Sequence, residues 1–380
     1  MLFVLLFTFT IIFFIEYKKY KTFISPASLS ILSYTIAIVV ALIGEKIFNY
    51  KAISDNVYFI ILLSIIVTWI PSFMFHVRNP QNYKIIDIQF VKRKVSFSNQ
   101  IIFFSLIVLS TIGLFFSLKN GKPGSEQFEL QYSHGIFAHI RNLFSVIITY
   151  LLCFKPKTKK IIFVTIFCLS CVFLSGTKYH LYFIFFPILI MYLKRPTLKK
   201  MITLLIISVA ICVFIFASNY LIGFLLRGSK IENFGSFVFN HLCKYIGGGL
   251  IGFSEYLNGA KSFSRGFYWI DTVHIESSNV YTLIGGFFFK YGWCSLLNMF
   301  IIGVFGYLIF WTMLQTVTKN KKEIIFLFYC YLIGIPMLLS FFASYYGLSN
   351  IWEFAFFSLL IYIILQERIL NPILQYKIER

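Results

Sequence analysis

Long apolar runs separated by short polar connections dominate the chain, and their lengths set its architecture. The runs fall at about 2–17, 24–44, 57–75, 100–118, 136–154, 161–176, 179–193, 201–222, 294–314, 324–344 and 350–366. A membrane-spanning helix needs about 20 mostly apolar residues to cross a hydrocarbon core near 30 Å. The pattern therefore predicts an all-α, polytopic transmembrane helix bundle of eleven spans, with a twelfth left open around 279–293. Residues 223–293 break the rhythm. That stretch is rich in aromatics and in glycine, including Gly247, Gly248 and Gly249. Its apolar spacing predicts short amphipathic or re-entrant helices rather than disorder. The chain thus divides into an N-terminal bundle of about eight spans over 1–222, a long loop over 223–293, and C-terminal spans with a tail over 294–380.

Composition removes the competing class. Hydrophobic residues make up 59% of the chain and charged residues 13%, whereas soluble domains carry about 25% charged residues. The 34 basic residues against 14 acidic ones give a net charge of +20. In a soluble chain that surplus would point to nucleic acid. Here the basic residues cluster between apolar runs, where they act as topology signals. The first run has no basic segment before it and no small-residue cleavage site, and Lys18, Lys19 and Lys21 follow it. It is expected to be a retained helix with its N-terminus outside. From that start, connections 16–25, 76–99, 155–160, 194–200, 318–323 and the tail 367–380 hold 22 basic residues. The opposite connections, 45–56, 119–135, 175–180 and 223–293, hold 11. The basic set is therefore expected on the cytoplasmic side, with the C-terminus inside and the long loop outside.

Candidate chemistry follows from that sidedness. The three aspartates, Asp55, Asp87 and Asp271, form no D-x-D pair, and no phosphate-binding loop occurs. A metal- or nucleotide-dependent site has no obvious ligands. Most of the seven cysteines lie inside apolar runs, so a disulfide framework is not expected, and Cys168 and Cys171 read as packing. Five of the six histidines, His134, His139, His180, His241 and His274, map to the outer half, together with Arg141, Lys178, Arg227, Lys230, Lys244, Lys261, Arg265 and Glu255. Arg141 lies six residues into a span, where a charge costs about 2.5–3.5 kcal/mol and normally faces a cavity or partner. The alternative is an arginine that snorkels to the outer headgroups. Lys178 sits in the turn Ser175–His180 between two short runs; fourteen apolar residues rise about 21 Å, so the turn lies below the outer surface. A buried ammonium there would hold an anion, or else it is an interfacial lysine in a tight hairpin. Arg227 and Arg265 carry the planar fork that fits diphosphate oxygens, unless they are solvated loop residues. His274, between Asp271 and Glu276, could take a proton from a hydroxyl, or the same residues form a polar helix start.

The stretch Asn279-Val280-Tyr281-Thr282-Leu283-Ile284-Gly285-Gly286, with Tyr291-Gly292-Trp293 and the run to Tyr307, resembles the C-terminal signature of Wzy-type polymerases of bacterial O-antigen and oligosaccharide repeat units. Tyr245-Ile246-Gly247-Gly248-Gly249 with Phe253 and Tyr256 is similar to their outer-loop pattern, and Lys178 stands where an arginine is commoner. The resemblance covers about 175–310. It implies an enzyme of the bacterial inner membrane that joins undecaprenyl-diphosphate-linked oligosaccharides at the outer face, without a metal or cofactor. In that frame His274 activates the acceptor hydroxyl, with Glu255 as second choice and Arg227 at the developing diphosphate charge. His139, Arg141, Lys178, Arg265 and Tyr281 bind substrate. Membrane lipids are further partners, a chain-length regulator protein is an open one, and nucleic acid is not expected. An O-antigen ligase, a lipid-linked oligosaccharide flippase and a membrane O-acyltransferase are the alternatives.

Overall fold

The computed structural model describes residues 1–75, 97–122, 125–132, 135–154, 159–174, 179–192, 217, 234–259, 282–316, 319–342, 346 and 349–365. Among them the regular structure is helical and contains no strand. The helices are α1 (Leu2–Tyr20), α2 (Pro26–Phe48), α3 (Asp55–Trp69), α4 (Phe97–Asn120), α5 (Glu126–Tyr132), α6 (Gly135–Phe154), α7 (Lys159–Leu174) and α8 (Tyr179–Tyr192). They continue as α9 (Phe234–Leu257), α10 (Leu283–Tyr291), α11 (Ser295–Gln315), α12 (Lys319–Tyr329), α13 (Ile335–Leu338) and α14 (Ser349–Leu365). Four helical stretches among the described residues, Pro26–Phe48, Asp55–Met74, Gly135–Phe154 and Leu283–Gln315, are long and apolar enough to cross a membrane. The run 201–222 lies outside the described residues except for Ala217.

Local sequence explains where the best-defined helix begins and ends. Ser25 caps α2 by accepting from Ser28 N–H, and Pro26 occupies the first helical position, where no intrahelical N–H is needed. The far end turns at Asn49 (φ 54°), and Tyr50 N–H returns to Gly44 O at 3.3 Å, a closure that satisfies a carbonyl of the last turn. Around α2 pack α1, α3, α9, α11 and α13. A second apolar cluster joins α6, α7 and α8 through Phe144, Ile148, Cys168, Cys171 and Ile184. The C-x-x-C thiols are buried there, where Ser110 Oγ donates to Cys171 Sγ at 3.4 Å, as packing requires.

One interval differs from its expected form. Within 223–293 the described residues contain a 24-residue helix, α9, packed along α2, which is longer than the short pieces expected, and the nine-residue α10, which is of the expected short kind. The glycines lowered both hydropathy and helix propensity over that stretch and hid its periodicity. They are there for close approach. A Cβ on Gly247 would lie 2.9 Å from Ala41 Cα, and one on Gly249 would lie 2.9 Å from Phe341 O. Small residues that let helix backbones touch are the main packing device between membrane helices.

Two polar nodes fix the other helices. Fully buried Glu16 on α1 accepts from Trp69 Nε1 at 2.9 Å and from Tyr307 Oη at 2.8 Å, joining α1 to α3 and α11. Deeper along α2, Ser33 and Tyr34 meet two helix ends. A π-turn over Cys330–Gly334 leads into α13, which ends at Leu338. Phe341 N–H donates to Ser33 Oγ at 3.1 Å, and Ser340 Oγ donates to the same oxygen at 2.9 Å. Tyr34 Oη donates to Ser340 O at 3.3 Å and accepts from Ile284 N–H at 3.2 Å. Leu283 N–H reaches Ser340 O at 2.6 Å, and the Thr282 side chain caps Gly285 N–H at 2.8 Å.

Two stability outcomes follow. Gly247→Ala should cost about 1–3 kcal/mol because backbone atoms face the added methyl, while Gly235→Ala, with nothing within 4 Å, should leave thermal unfolding of the detergent-solubilised protein unchanged or slightly raised. Tyr34→Phe should cost about 1–3 kcal/mol, since it leaves Ile284 N–H buried without its acceptor, and the same unfolding measurement reads it.

Candidate functional site

Helix α6 carries an unusual density of polar side chains for a helix of membrane-spanning length. Within eleven residues it holds His139, Arg141, Asn142, Ser145 and Thr149. A helix advances 100° per residue, so these groups sort onto two neighbouring faces. His139 and Asn142, three apart, share one face. Arg141 and Ser145, four apart, share the other.

The Arg141 face is buried. Arg141 is 2% exposed, and its guanidinium carbon lies 5.0 Å from the centre of the Tyr132 ring on α5. Such a cation over an aromatic face is stabilised by roughly 2 kcal/mol when water is excluded. Tyr132 is itself anchored, its hydroxyl donating to Cys171 O at 3.2 Å. One turn on, Ser145 Oγ lies 3.0 Å from Nδ1 of His180, which is fully buried at the start of α8. Ser145 also lies 3.1 Å from Arg141 O, to which its hydroxyl donates. The buried arginine and histidine are thus held by α5, α6 and α8 together.

The His139 face meets α14. His139 Nδ1 is 2.7 Å from Glu353 Oε1, and Asn142 Nδ2 donates to Glu353 Oε2 at 2.9 Å. Both carboxylate oxygens are therefore engaged by α6. The carboxylate side chain is 15% exposed, whereas the imidazole is 63% exposed. A fixed carboxylate thus stands behind an exposed imidazole, an arrangement that orients the ring.

The sequence-derived candidates distribute as follows. His139 and Arg141 stand two residues apart on α6, each with a partner. Glu255 lies near the end of α9, where Lys51 Nζ contacts its Oε2 at 2.5 Å, and neighbouring Ser254 Oγ accepts from Ser54 N–H at 2.9 Å. Its contacts thus tie α9 to the α2–α3 connection. His274, Arg227, Lys178, Arg265 and Tyr281 lie outside the described residues. Glu353 and Asn142 were missed as candidates. Glu353 had a readable signal, a carboxylate inside the apolar run 350–366 that burial would oblige to find a partner. No group of three or more histidine, cysteine or acidic side chains able to hold a metal occurs among the described residues.

Residues 56–261 match the model of a family of unknown function, DUF6337, and the chain belongs to that family. The matched region contains all of α4 to α9, hence His139, Arg141 and His180, and stops short of Glu353. No curated protein and no solved structure matches the chain.

The contact between α6 and α14 gives a direct test. Asn142→Ala should lower thermal stability by about 1.5–3 kcal/mol, because the lost hydrogen bond has a charged acceptor. Asn142→Asp should cost more by setting two carboxylates together. Combining it with Glu353→Gln, which returns an N–H donor to the pair, should recover part of that loss in thermal unfolding.

Proposed function

We propose that the protein is a membrane-embedded glycosyltransferase that polymerises undecaprenyl-diphosphate-linked oligosaccharide repeat units into O-antigen or a related polysaccharide. The observation that carries this reading is the single turn of α6 that bears His139, Arg141 and Asn142 in a helix apolar enough to span a membrane, with Glu353 against it. Ionisable groups within a spanning segment are expensive and mark sites of chemistry or transport. Displacement of a lipid diphosphate needs two things from the protein: a cationic environment for the leaving group and a base for the acceptor hydroxyl. Arg141 adds a buried positive charge to the same helix, and His139 is an exposed imidazole. The resemblance over 175–310 supplies the substrate class.

In this reading the chain crosses the bacterial inner membrane eleven times, with the N-terminus periplasmic, the C-terminus cytoplasmic and the site opening outward. Arg227, Arg265 and Lys178, which lie outside the described residues, are the further basic candidates for binding the diphosphate. The reaction forms a glycosidic bond at the anomeric carbon and releases undecaprenyl diphosphate, so it consumes no nucleotide.

The test is the lipopolysaccharide ladder of a deletion strain against its complemented parent. Loss of the ladder with retention of core bearing one repeat unit is the expected result. Loss of every repeat unit, the single one included, would replace polymerisation by ligation or export, and an unchanged ladder would remove the reading altogether.

A further inference from the structure

Which group takes the acceptor proton is a separate question. We propose that His139 is the catalytic base and that Glu353 is the residue that positions it; this assignment rests on the polymerase reading above.

An ionised carboxylate only accepts, so the contact of 2.7 Å between His139 Nδ1 and Glu353 Oε1 places the imidazole proton on Nδ1. Nε2 then carries the lone pair. The ring is 63% exposed, so that lone pair is open to a hydroxyl arriving from outside the bundle. Glu353 cannot turn away to solvent without breaking its second contact, because Asn142 holds the other oxygen at 2.9 Å. Two donors three residues apart on one helix thus lock the carboxylate, and the carboxylate locks the ring.

Stability alone gives little reason for such a pair. An ion pair with a largely exposed partner contributes about 0–1 kcal/mol, while a carboxylate inside an apolar helix costs more than that to bury. Glu255, the other carboxylate considered for the role, is already engaged by Lys51. Arg141 stands two residues from His139, about 160° around the helix axis, so it does not compete for Glu353.

The chemical step balances as follows. His139 Nε2 takes the proton of the acceptor sugar hydroxyl while that oxygen attacks the anomeric carbon of the donor glycan. The bond from that carbon to the diphosphate oxygen breaks, and its electron pair leaves with undecaprenyl diphosphate. The imidazolium then returns its proton to water.

The experiment uses the purified full chain in lipid vesicles, supplied with lipid-linked oligosaccharide extracted from a strain lacking the protein, with polymer formation followed over time. His139→Ala should lower kcat by about 10²–10⁴ with KM little changed, and added imidazole should restore part of the rate. His139→Gln keeps the polar volume and should be equally slow without rescue, which separates lost chemistry from lost folding. Glu353→Gln should lower kcat at least about tenfold, again with little change in KM. Wild type that polymerises while His139→Ala and His139→Gln keep its rate within about twofold would overturn the assignment and leave the polymerase reading standing. Wild type that forms no polymer from the extract would overturn both.

Discussion

Hydrocarbon offers no hydrogen-bond partners, so a helix end inside an apolar bundle must find its partners in the protein. Among the described residues, the Ser33–Tyr34 pair on α2 is where that constraint is met for two helix ends at once. The end of α13 and the start of α10 arrive there from segments about sixty residues apart in sequence. Phe341 N–H and Ile284 N–H would otherwise lack partners, each costing about 1–3 kcal/mol where buried. Two side chains on one helix satisfy both, and Tyr34 adds a second donor to the Ser340 carbonyl that Leu283 N–H already reaches. The remaining helices of that cluster can pack around α2 because this junction holds the interrupted helices in a fixed register.

Apolar contact alone would not fix that register, since lipid tails are as apolar as leucine. Specificity comes from groups that lipid cannot imitate. Glycines at 247 and 249 admit backbone where lipid or a larger side chain would stand off. Glu16 ties three helices through Trp69 and Tyr307, and no lipid can replace its donors. Lys19 reinforces the same corner, donating to Ser72 O and lying 5.0 Å from the centre of the Tyr20 ring. These contacts are few, and each is a position where one substitution carries a disproportionate cost.

What hydropathy can see explains how much of the fold was legible. The run 24–44 became Pro26–Phe48, 136–154 became Gly135–Phe154, and 57–75 became Asp55–Trp69 with a short 3-10 turn after it. Hydropathy averages over a window and so finds helices, but it is blind to helix rotation. It placed Arg141 and His139 in one span without telling that they face different neighbours. It missed α9, because three consecutive glycines depress the average where close packing needs them most. Glu353 went unnoticed for another reason. Its partners lie 211 and 214 residues away, and a single chain carries no record of which span adjoins which. The readable clue was the cost of a lone carboxylate in an apolar run, which applies equally to Glu16.

The two faces of α6 show why a spanning helix would retain such groups. If α6 served only to cross a membrane, leucine at 141 would avoid a desolvation cost of about 2.5–3.5 kcal/mol, and replacing buried charge by apolar side chains is often stabilising. The protein instead builds support around the charge: a Tyr132 ring across it, a serine linking its carbonyl to His180, and a separate helix presenting Glu353 to the adjacent face. Support of this kind, drawn from α5, α8 and α14, fixes positions rather than merely tolerating a polar residue. A site assembled from four helices is also one whose geometry depends on the whole bundle. The junction at Ser33 and Tyr34 and the polar turn of α6 are therefore linked by rigidity: the first sets how the helices stand, and the second needs them to stand that way.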